Sequence, residues 1–187
     1  AASQRGISIA ATVPRIARAE PFGNLNAVLG QGGARWAALN AKVAHSEAAA
    51  LIEAHRQLIA RRSSEMAQKG VSVTYLLSAL GTHSFSFESV FHWKDEWLPV
   101  HVARVDAEVL KAYSPPQANP AARALVAALR EDTIDLFRQV GAASNQIGRA
   151  YPYMDALNPA PAALIRGLKA LLDPNGRLNP GVLGLPY

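Results

Sequence analysis

The chain has 187 residues, 50% of them hydrophobic, which is enough for a domain with a sizeable buried core. It contains no cysteine, so disulfides, thiolate metal sites and cysteine nucleophiles are excluded. The formal net charge is +5, but the basic residues are scattered, which favours a solvated mixed-charge surface over a nucleic-acid-binding stripe.

The hydrophobic runs and the N-terminal residues indicate where in the cell the protein is expected. No apolar run approaches the roughly 20 residues that a membrane span needs. The first residues, Ala1 to Arg5, show neither an initiator methionine nor a signal-peptide pattern. We therefore expect a cytoplasmic polypeptide that contacts no membrane and that was cut from a longer protein.

Residues 1–33 are predicted to be an irregular lead-in with one short helix, because Ala, Gly and Arg predominate and Pro14 and Pro21 interrupt regular structure. The run Gly30-Gln31-Gly32-Gly33 resembles a phosphate loop only loosely. It lacks the required glycine spacing and does not open a helix, so a plain turn is the prediction.

The next elements are predicted to alternate strand and helix. Trp36 to His45 has the pattern of a strand, and Ser46 is a good N-cap for the helix that follows. Gly70 is expected to end that helix. His55 lies on the apolar stripe of the helix, where a core or boundary histidine is expected rather than a ligand.

Two segments, 71–80 and 83–93, are predicted to pair as an antiparallel hairpin around Gly81-Thr82. Alternation assigns one side of the second strand to the core: His83, Phe85, Phe87, Phe91 and Trp93. Glu88 and His92 fall on the opposite side, where we expect them to line the substrate or a polar boundary.

Three helices are predicted after the hairpin. The first covers Leu98 to Tyr113, and the second begins with Asn119 as N-cap, has Pro120 at its first position and continues to Gly141. The last is expected to dock through four leucines at helical spacing, Leu164, Leu168, Leu171 and Leu172. Residues beyond Asn175 have few apolar anchors, so we expect them to be mobile or held by subunit contacts. The order of elements predicts an α+β fold, an antiparallel sheet with helices packed on one face.

The C-terminal tail carries the clearest resemblance to a known family. Lys169 is followed by Asp-Pro-x-Gly and then by Pro-Gly, which ends at Gly181. This pattern resembles the C-terminal signature of FAD-linked oxidases of the vanillyl-alcohol oxidase and p-cresol methylhydroxylase group. The resemblance implies that residues 34–156 are a ferredoxin-like substrate (cap) domain. It further implies that residues 157–187 return to an FAD domain, with Asn179 and Gly181 beside the cofactor.

A second resemblance lies in residues 141–155. The family carries a Tyr-Arg-Thr segment, then Met-Asp, before its final helix, and its Tyr and Arg bind the phenolate oxygen of the substrate. Met154-Asp155 match, and Arg149 matches after a one-residue gap. Ile147 or Gly148 stands where the family has Tyr, so the resemblance implies Tyr151 or Tyr153 as a substitute.

A third resemblance covers residues 81–96, which are similar to the cap-domain strand that runs into a Trp and an acidic pair. Related D-lactate and D-2-hydroxyglutarate dehydrogenase-like enzymes carry His-x-Gly-Asp-Gly-Asn-x-His and Glu-His-Gly motifs, which bind a metal. This chain has neither motif. A metal site is therefore not expected, and a 2-hydroxy-acid substrate is disfavoured.

The resemblance implies the substrate-binding half of an FAD-dependent oxidoreductase that oxidises a small alcohol or phenol. Hydride would pass to the flavin, and a separate domain with a glycine-rich loop would hold most of the FAD. The chain alone is expected to be inactive. Its expected partners are that FAD domain and a small-molecule substrate, and a homodimer is left open. Two alternatives remain: a non-catalytic ligand-binding or oligomerisation module, and a less favoured RNA-binding domain, which would need exposed sheet aromatics.

Overall fold

The computed structural model of the chain describes residues 10–19, 30–151 and 153–185. They belong to two compact units: residues up to 34 together with 96–117, and residues 35–95 together with 118–187. The helices and strands in chain order are α1 (Thr12–Ala19), β1 (Ala34–Ala44), α2 (Ala48–Lys69), β2 (Ser72–Leu80), β3 (Ser84–Lys94), α3 (Pro99–Val102), α4 (Ala107–Lys111), α5 (Pro120–Gln139) and α6 (Pro159–Leu172). Within the described ranges, no helix is both long and apolar enough to cross a membrane.

The smaller unit contains short helices and a glycine turn. Gly30 to Gly33 forms a 3₁₀ turn, closed by the Gly33 N–H to the Gly30 carbonyl at 3.0 Å, and the predicted plain turn is confirmed. Most of the predicted lead-in lies outside the described residues. The single helix predicted over 98–113 is wrong, because the chain leaves the helical conformation at Asp106 (ψ 136°) and separates α3 from α4. Aspartate favours such helix boundaries over helix interiors.

The larger unit is built on a three-stranded antiparallel sheet with strand order β1-β3-β2. β2 and β3 form the predicted hairpin, with an unbroken register from Ser72 opposite His92 to Leu80 opposite Ser84. Gly81 begins the turn with φ 59°, a conformation that glycine adopts without strain. The α+β prediction is confirmed.

A single antiparallel bridge extends the sheet beyond β1. The backbone N–H of Lys42 donates to the Ala143 carbonyl at 2.6 Å, and the Ala143 N–H donates to the Lys42 carbonyl at 3.0 Å. Both backbone groups of a strand residue point to the same side, so Ala143 lies on the edge of β1 away from β3. This is the place that the fourth strand takes in a ferredoxin-like βαββαβ arrangement.

The two long helices, α2 and α5, contribute to the core that covers one face of the sheet. Gly70 ends α2 in the left-handed conformation (φ 67°), and the Asn119 side chain caps α5 by accepting from the Ala122 N–H at 3.0 Å, both as predicted. Ser46 is not the cap of α2. Glu47 takes that position without a side-chain hydrogen bond to α2. Its carboxylate instead accepts from the Ala44 N–H at 3.2 Å and caps the 3₁₀ turn His45–Glu47 that leads into the helix.

The core between sheet and helices is apolar, as the alternation on β3 predicts. Phe87 and Phe91 are fully buried, and Phe85 and Trp93 pack against the same cluster. His83 was assigned to this face, but it lies in the exposed turn before β3. The other buried members of the cluster are Leu39, Ala41, Val43, Leu51, Leu58, Met66, Val71, Ala122, Leu125, Val126, Leu129, Phe137 and Tyr151.

His55 is fully buried in this core, as its place on the apolar stripe predicts. The Thr133 hydroxyl donates to the Leu129 carbonyl at 2.7 Å, so its oxygen accepts from His55 Nε2 at 3.3 Å. The Nδ1 atom then accepts from the Tyr75 hydroxyl at 3.2 Å. This arrangement requires a neutral imidazole, and burial lowers the pKa of His55 from 6.5 to about 4.

The last helix, α6, does not dock as predicted. Leu164, Leu168, Leu171 and Leu172 are 64%, 48%, 77% and 73% exposed. Ala162 is instead the buried residue of the helix, in a small cluster with Met154 and Leu185. The apolar stripe is present in α6, but no described element covers it.

We expect the stability of the fold to fall as the pH drops from about 6.5 to about 4. Over this window the unfolded state binds a proton at His55 that the folded state excludes, so the unfolding free energy falls by about 3 kcal/mol. Urea unfolding at several pH values measures how the unfolding free energy depends on pH. His55→Gln should flatten the slope, whereas His45→Gln, at an exposed position, should leave it unchanged. An equal slope in both variants would contradict the assignment.

Candidate functional site

The candidate site is built around Asn40, a polar residue in the middle of β1 that is only 1% exposed. Its side chain donates from Nδ2 to Gln146 Oε1 at 2.8 Å and accepts from the Asn145 N–H at 3.0 Å. Its backbone N–H donates to the Tyr151 hydroxyl at 2.8 Å. Three partners on one segment therefore fix residues 145–151 along the outer edge of β1.

A cavity of about 380 Å³ opens beside this clamp. Tyr151 and Tyr153, the two tyrosines that the resemblance offers as substrate ligands, both line it. Asn40, the end of α5 and Asp155 form part of the wall. The volume is that of a small-molecule site, and its lining combines aromatic and aliphatic side chains with several polar ones, Arg138 and Ser144 among them.

Tyr151 is the best-positioned hydrogen-bonding group in the cavity. Burial raises the pKa of its phenol, against the smaller opposing effect of the Asn40 N–H, so the side chain is neutral at physiological pH. Its oxygen accepts from Asn40, and within the described part of the chain no acceptor takes its proton. Tyr151 can therefore donate to an oxygen of a bound ligand.

Arg149 joins this segment to the C-terminal tail. Its guanidinium donates from Nη2 to the Pro180 carbonyl, and the Leu183 N–H donates to the Gly148 carbonyl at 2.7 Å. Arg149 is otherwise exposed, so its remaining N–H groups stay available to an anion. The predicted substrate segment and the predicted cofactor-facing tail are thus in direct contact.

Asp173 organises the start of the tail. Its carboxylate accepts from the backbone N–H of Arg177 at 2.8 Å and of Leu178 at 2.9 Å, and from the Lys169 ammonium. The hydrogen bond from Lys169 is the main cause that lowers the pKa of Asp173. The expectation of a poorly anchored tail beyond Asn175 is therefore wrong, because polar contacts hold it where apolar anchors are few.

The two residues predicted to face a cofactor lie in a backbone stretch of unusual conformation. Asn179 has φ 46° and Gly181 has φ 74°, and Leu183 follows with φ 63°, which costs energy in a residue with a branched side chain. Asn179 is exposed, and its side-chain amide has no hydrogen-bond partner among the described residues. The turn thus presents a free donor and acceptor on a fixed backbone.

Glu88 and His92 lie on the face of β3 opposite the buried phenylalanines, as predicted. Neither lines the cavity. Glu88 acts electrostatically on Tyr151 and on Lys42, whose amine donates to Ser86 Oγ at 2.8 Å. Burial lowers the pKa of Lys42, and Glu88 opposes that effect.

His92 lies apart from the cavity residues. It stands four residues beyond Glu88, about 13 Å along the strand. Its Nε2 is 2.8 Å from the Thr74 hydroxyl of β2. The structure thus brings Tyr151 and Tyr153 together at the cavity. Arg149, Glu88 and His92 do not line it, and Arg149 instead contacts the tail at Pro180.

Two residues that organise the site, Asn40 and Asp173, were not identified as such from the sequence. Asn40 interrupts an otherwise apolar strand centre, which is a signal for a buried polar partner. Asp173 stands before Pro174 at the end of a helical pattern, and an acid at that point can accept from the following backbone N–H groups.

No group of His, Cys, Asp or Glu side chains that could hold a metal ion occurs within residues 10–19, 30–151 and 153–185. Comparison of the chain with protein-family models, curated proteins and solved structures found no match.

We expect Tyr151→Phe to lower the unfolding free energy by about 1–3 kcal/mol, because it leaves the buried Asn40 N–H without an acceptor. Chemical unfolding measures the change. Tyr153→Phe is the matched control, because the Tyr153 hydroxyl has no hydrogen bond in the described residues. Equal stability of Tyr151→Phe and wild type would contradict the role of this hydroxyl.

We expect Asp173→Asn to loosen the tail while the core stays intact. The amide can no longer accept from Lys169, Arg177 and Leu178 as a carboxylate does, so the backbone N–H groups of the last two should exchange roughly tenfold faster or more. Hydrogen exchange followed by NMR measures this. Asp132→Asn, at an exposed position of α5, should leave the tail unchanged.

Proposed function

We propose that this chain is the substrate-binding C-terminal part of an FAD-dependent oxidoreductase that oxidises a small alcohol or phenol. The observation that supports the proposal is the contact between two segments, Arg149 with Pro180 and Gly148 with Leu183. Each segment resembles the same oxidase family independently. In the fold these two hydrogen bonds join the segments, as a substrate site beside a cofactor requires.

The residues of the tail fit one end of FAD. The flavin ring has an edge of alternating N–H and carbonyl groups, and the exposed Asn179 amide offers a matching acceptor and donor. When bound, FAD would accept the hydride from the substrate carbon at its ring nitrogen N5. Asn179 and Gly181 would then hold the ring edge and let the backbone approach it.

The described residues do not fit the pyrophosphate end of FAD. Their glycine-rich turn, Gly30 to Gly33, leads into β1 rather than into a helix whose N-terminus could bind phosphate. A Cβ at Gly32 would lie 3.3 Å from the Tyr113 ring, so a side chain already fills that space. A separate domain is therefore needed to hold the rest of the cofactor.

The chain's own residues would bind and orient the substrate. Tyr151 donates its proton to the substrate oxygen, because its own oxygen is already bonded to Asn40. Tyr153 supplies an aromatic wall of the cavity. Arg149, anchored at one nitrogen by Pro180, offers its other N–H groups to a phenolate or carboxylate.

The test is the spectrum of the protein made from the complete gene. We expect a bound oxidised flavin, and we expect small alcohols or phenols to bleach it in the absence of oxygen. Protein without flavin would contradict the proposal and favour a non-catalytic ligand-binding or oligomerisation module. A flavin that phenols and alcohols cannot reduce would contradict the substrate class alone.

In that protein, Asn179→Gly should lower flavin occupancy without changing the melting temperature of this domain. Glycine keeps the left-handed conformation at φ 46° and removes only the amide, whereas alanine would add backbone strain. Asn175→Ala, which removes another exposed amide of the tail, is the control. Flavin absorbance per protein and calorimetry measure the two effects. Unchanged occupancy in Asn179→Gly would contradict the cofactor contact.

A further inference from the structure

The edge strand β2 exposes both its backbone and its apolar side chains. It is the last strand of the order β1-β3-β2, so among the described residues no strand lies on its other side. Leu76 is 61% exposed, and Leu77, Leu80 and Tyr75 are 44%, 45% and 38% exposed. Such an edge offers a row of free N–H and C=O groups to another strand.

The usual protections of an edge strand are missing from β2. None of its nine residues is charged and none is proline. Its register with β3 is unbroken from Ser72 to Leu80, so no bulge twists the edge away. Soluble proteins generally place one of these features on a free edge, because otherwise the edge recruits another strand.

The sequence of β2 is complementary to itself when two copies run antiparallel. With a two-fold axis at Leu76, the opposed pairs are Val73 with Ala79, Thr74 with Ser78 and Tyr75 with Leu77. Apolar side chains meet apolar ones on the helix-covered face, and hydroxyls meet on the other. Arg56, exposed on α2, is a charged side chain that acts electrostatically on this strand, and its long stem can turn away from the axis.

We propose that two copies of this chain associate through β2, in antiparallel pairing about a two-fold axis at Leu76. Two three-stranded sheets would then form one continuous sheet of six strands, twice the three that one copy holds. The pairing is isologous, so it closes at a dimer and removes both free edges at once. This assembly goes beyond the proposed oxidoreductase function and does not rest on it.

The first test is the oligomeric state of the chain by sedimentation. We expect a dimer, and we expect Leu76→Lys to weaken it by at least about tenfold, because the two-fold axis places the two ammonium groups opposite each other. Leu171→Lys, which changes a still more exposed leucine on α6, should leave the dimer intact. Far-UV circular dichroism should show that both variants are folded.

The second test locates the axis. Mixing Leu76→Lys with Leu76→Glu should restore association as a heterodimer, because opposite charges then face each other. The chain has no cysteine, so Leu76→Cys introduces a single thiol, and oxidation should link two copies since opposed Cα atoms lie about 4.5–5.5 Å apart. Leu171→Cys should not crosslink.

Three results would each overturn the proposal. These are a wild-type chain that stays monomeric at its highest soluble concentration, a dimer that survives Leu76→Lys, and crosslinking at position 171 in place of 76. A monomeric wild-type chain would mean that any strand pairing with β2 comes from another protein. Crosslinking at position 171 would assign the association to the leucine face of α6.

Discussion

The outer edge of β1 imposes the constraint on which the candidate site depends. In a ferredoxin-like sheet a fourth strand would pair with this edge, but here one bridge at Ala143 takes its place. The remaining polar groups along β1 need other partners, since a buried amide without one costs free energy. The Tyr151 hydroxyl accepts from one of them, the Asn40 N–H, and the Asn40 side chain holds Asn145 and Gln146, so that this segment runs along the edge where a strand would lie.

The position of the tail follows from that clamp. Once residues 145–151 are fixed along β1, the Gly148 carbonyl and the Arg149 guanidinium are fixed too, and they bind the tail at Leu183 and Pro180. Asp173 orders the same tail from its other end through the backbone at 177 and 178. A turn with residues in left-handed conformation is therefore held at both ends, which suits a rigid contact with a ligand better than a flexible linker.

Much of the fold could be predicted because its signals are local. Alternation on β3 identified the face that buries Phe87 and Phe91, and Asn119 and Gly70 marked helix ends through their own backbone chemistry. The predictions that failed have a common cause, because each concerned a contact with residues that are distant in sequence. Helical spacing in α6 shows that an apolar face exists, but it cannot show that a described element covers the face, and none covers Leu171.

The candidate site was predicted in part for the same reason. The resemblance predicted the segment of Arg149, Tyr151 and Tyr153 and the tail of Asn179 and Gly181, and the structure brings these two segments into contact. The resemblance could not identify Asn40, because that residue is more than 100 positions away in sequence from Gln146 and acts only through the folded sheet. Glu88 was assigned to the correct face of its strand, but it does not line the cavity. The alternation of residues shows which face a side chain lies on, whereas its distance from residues on other elements depends on the folded chain.

The two edges of the sheet obey one rule with different outcomes. A free edge must be paired, covered or made unattractive. The β1 edge is covered by the chain's own residues, and its polar centre at Asn40 makes it unsuitable for a second strand. Among the described residues no strand pairs with the β2 edge, and β2 itself carries no charged residue. Its residues are arranged so that the strand matches itself when it is reversed. A sheet with one edge protected by buried polar side chains and the other left apolar can extend in one direction only, which limits growth to two copies and avoids an open fibre.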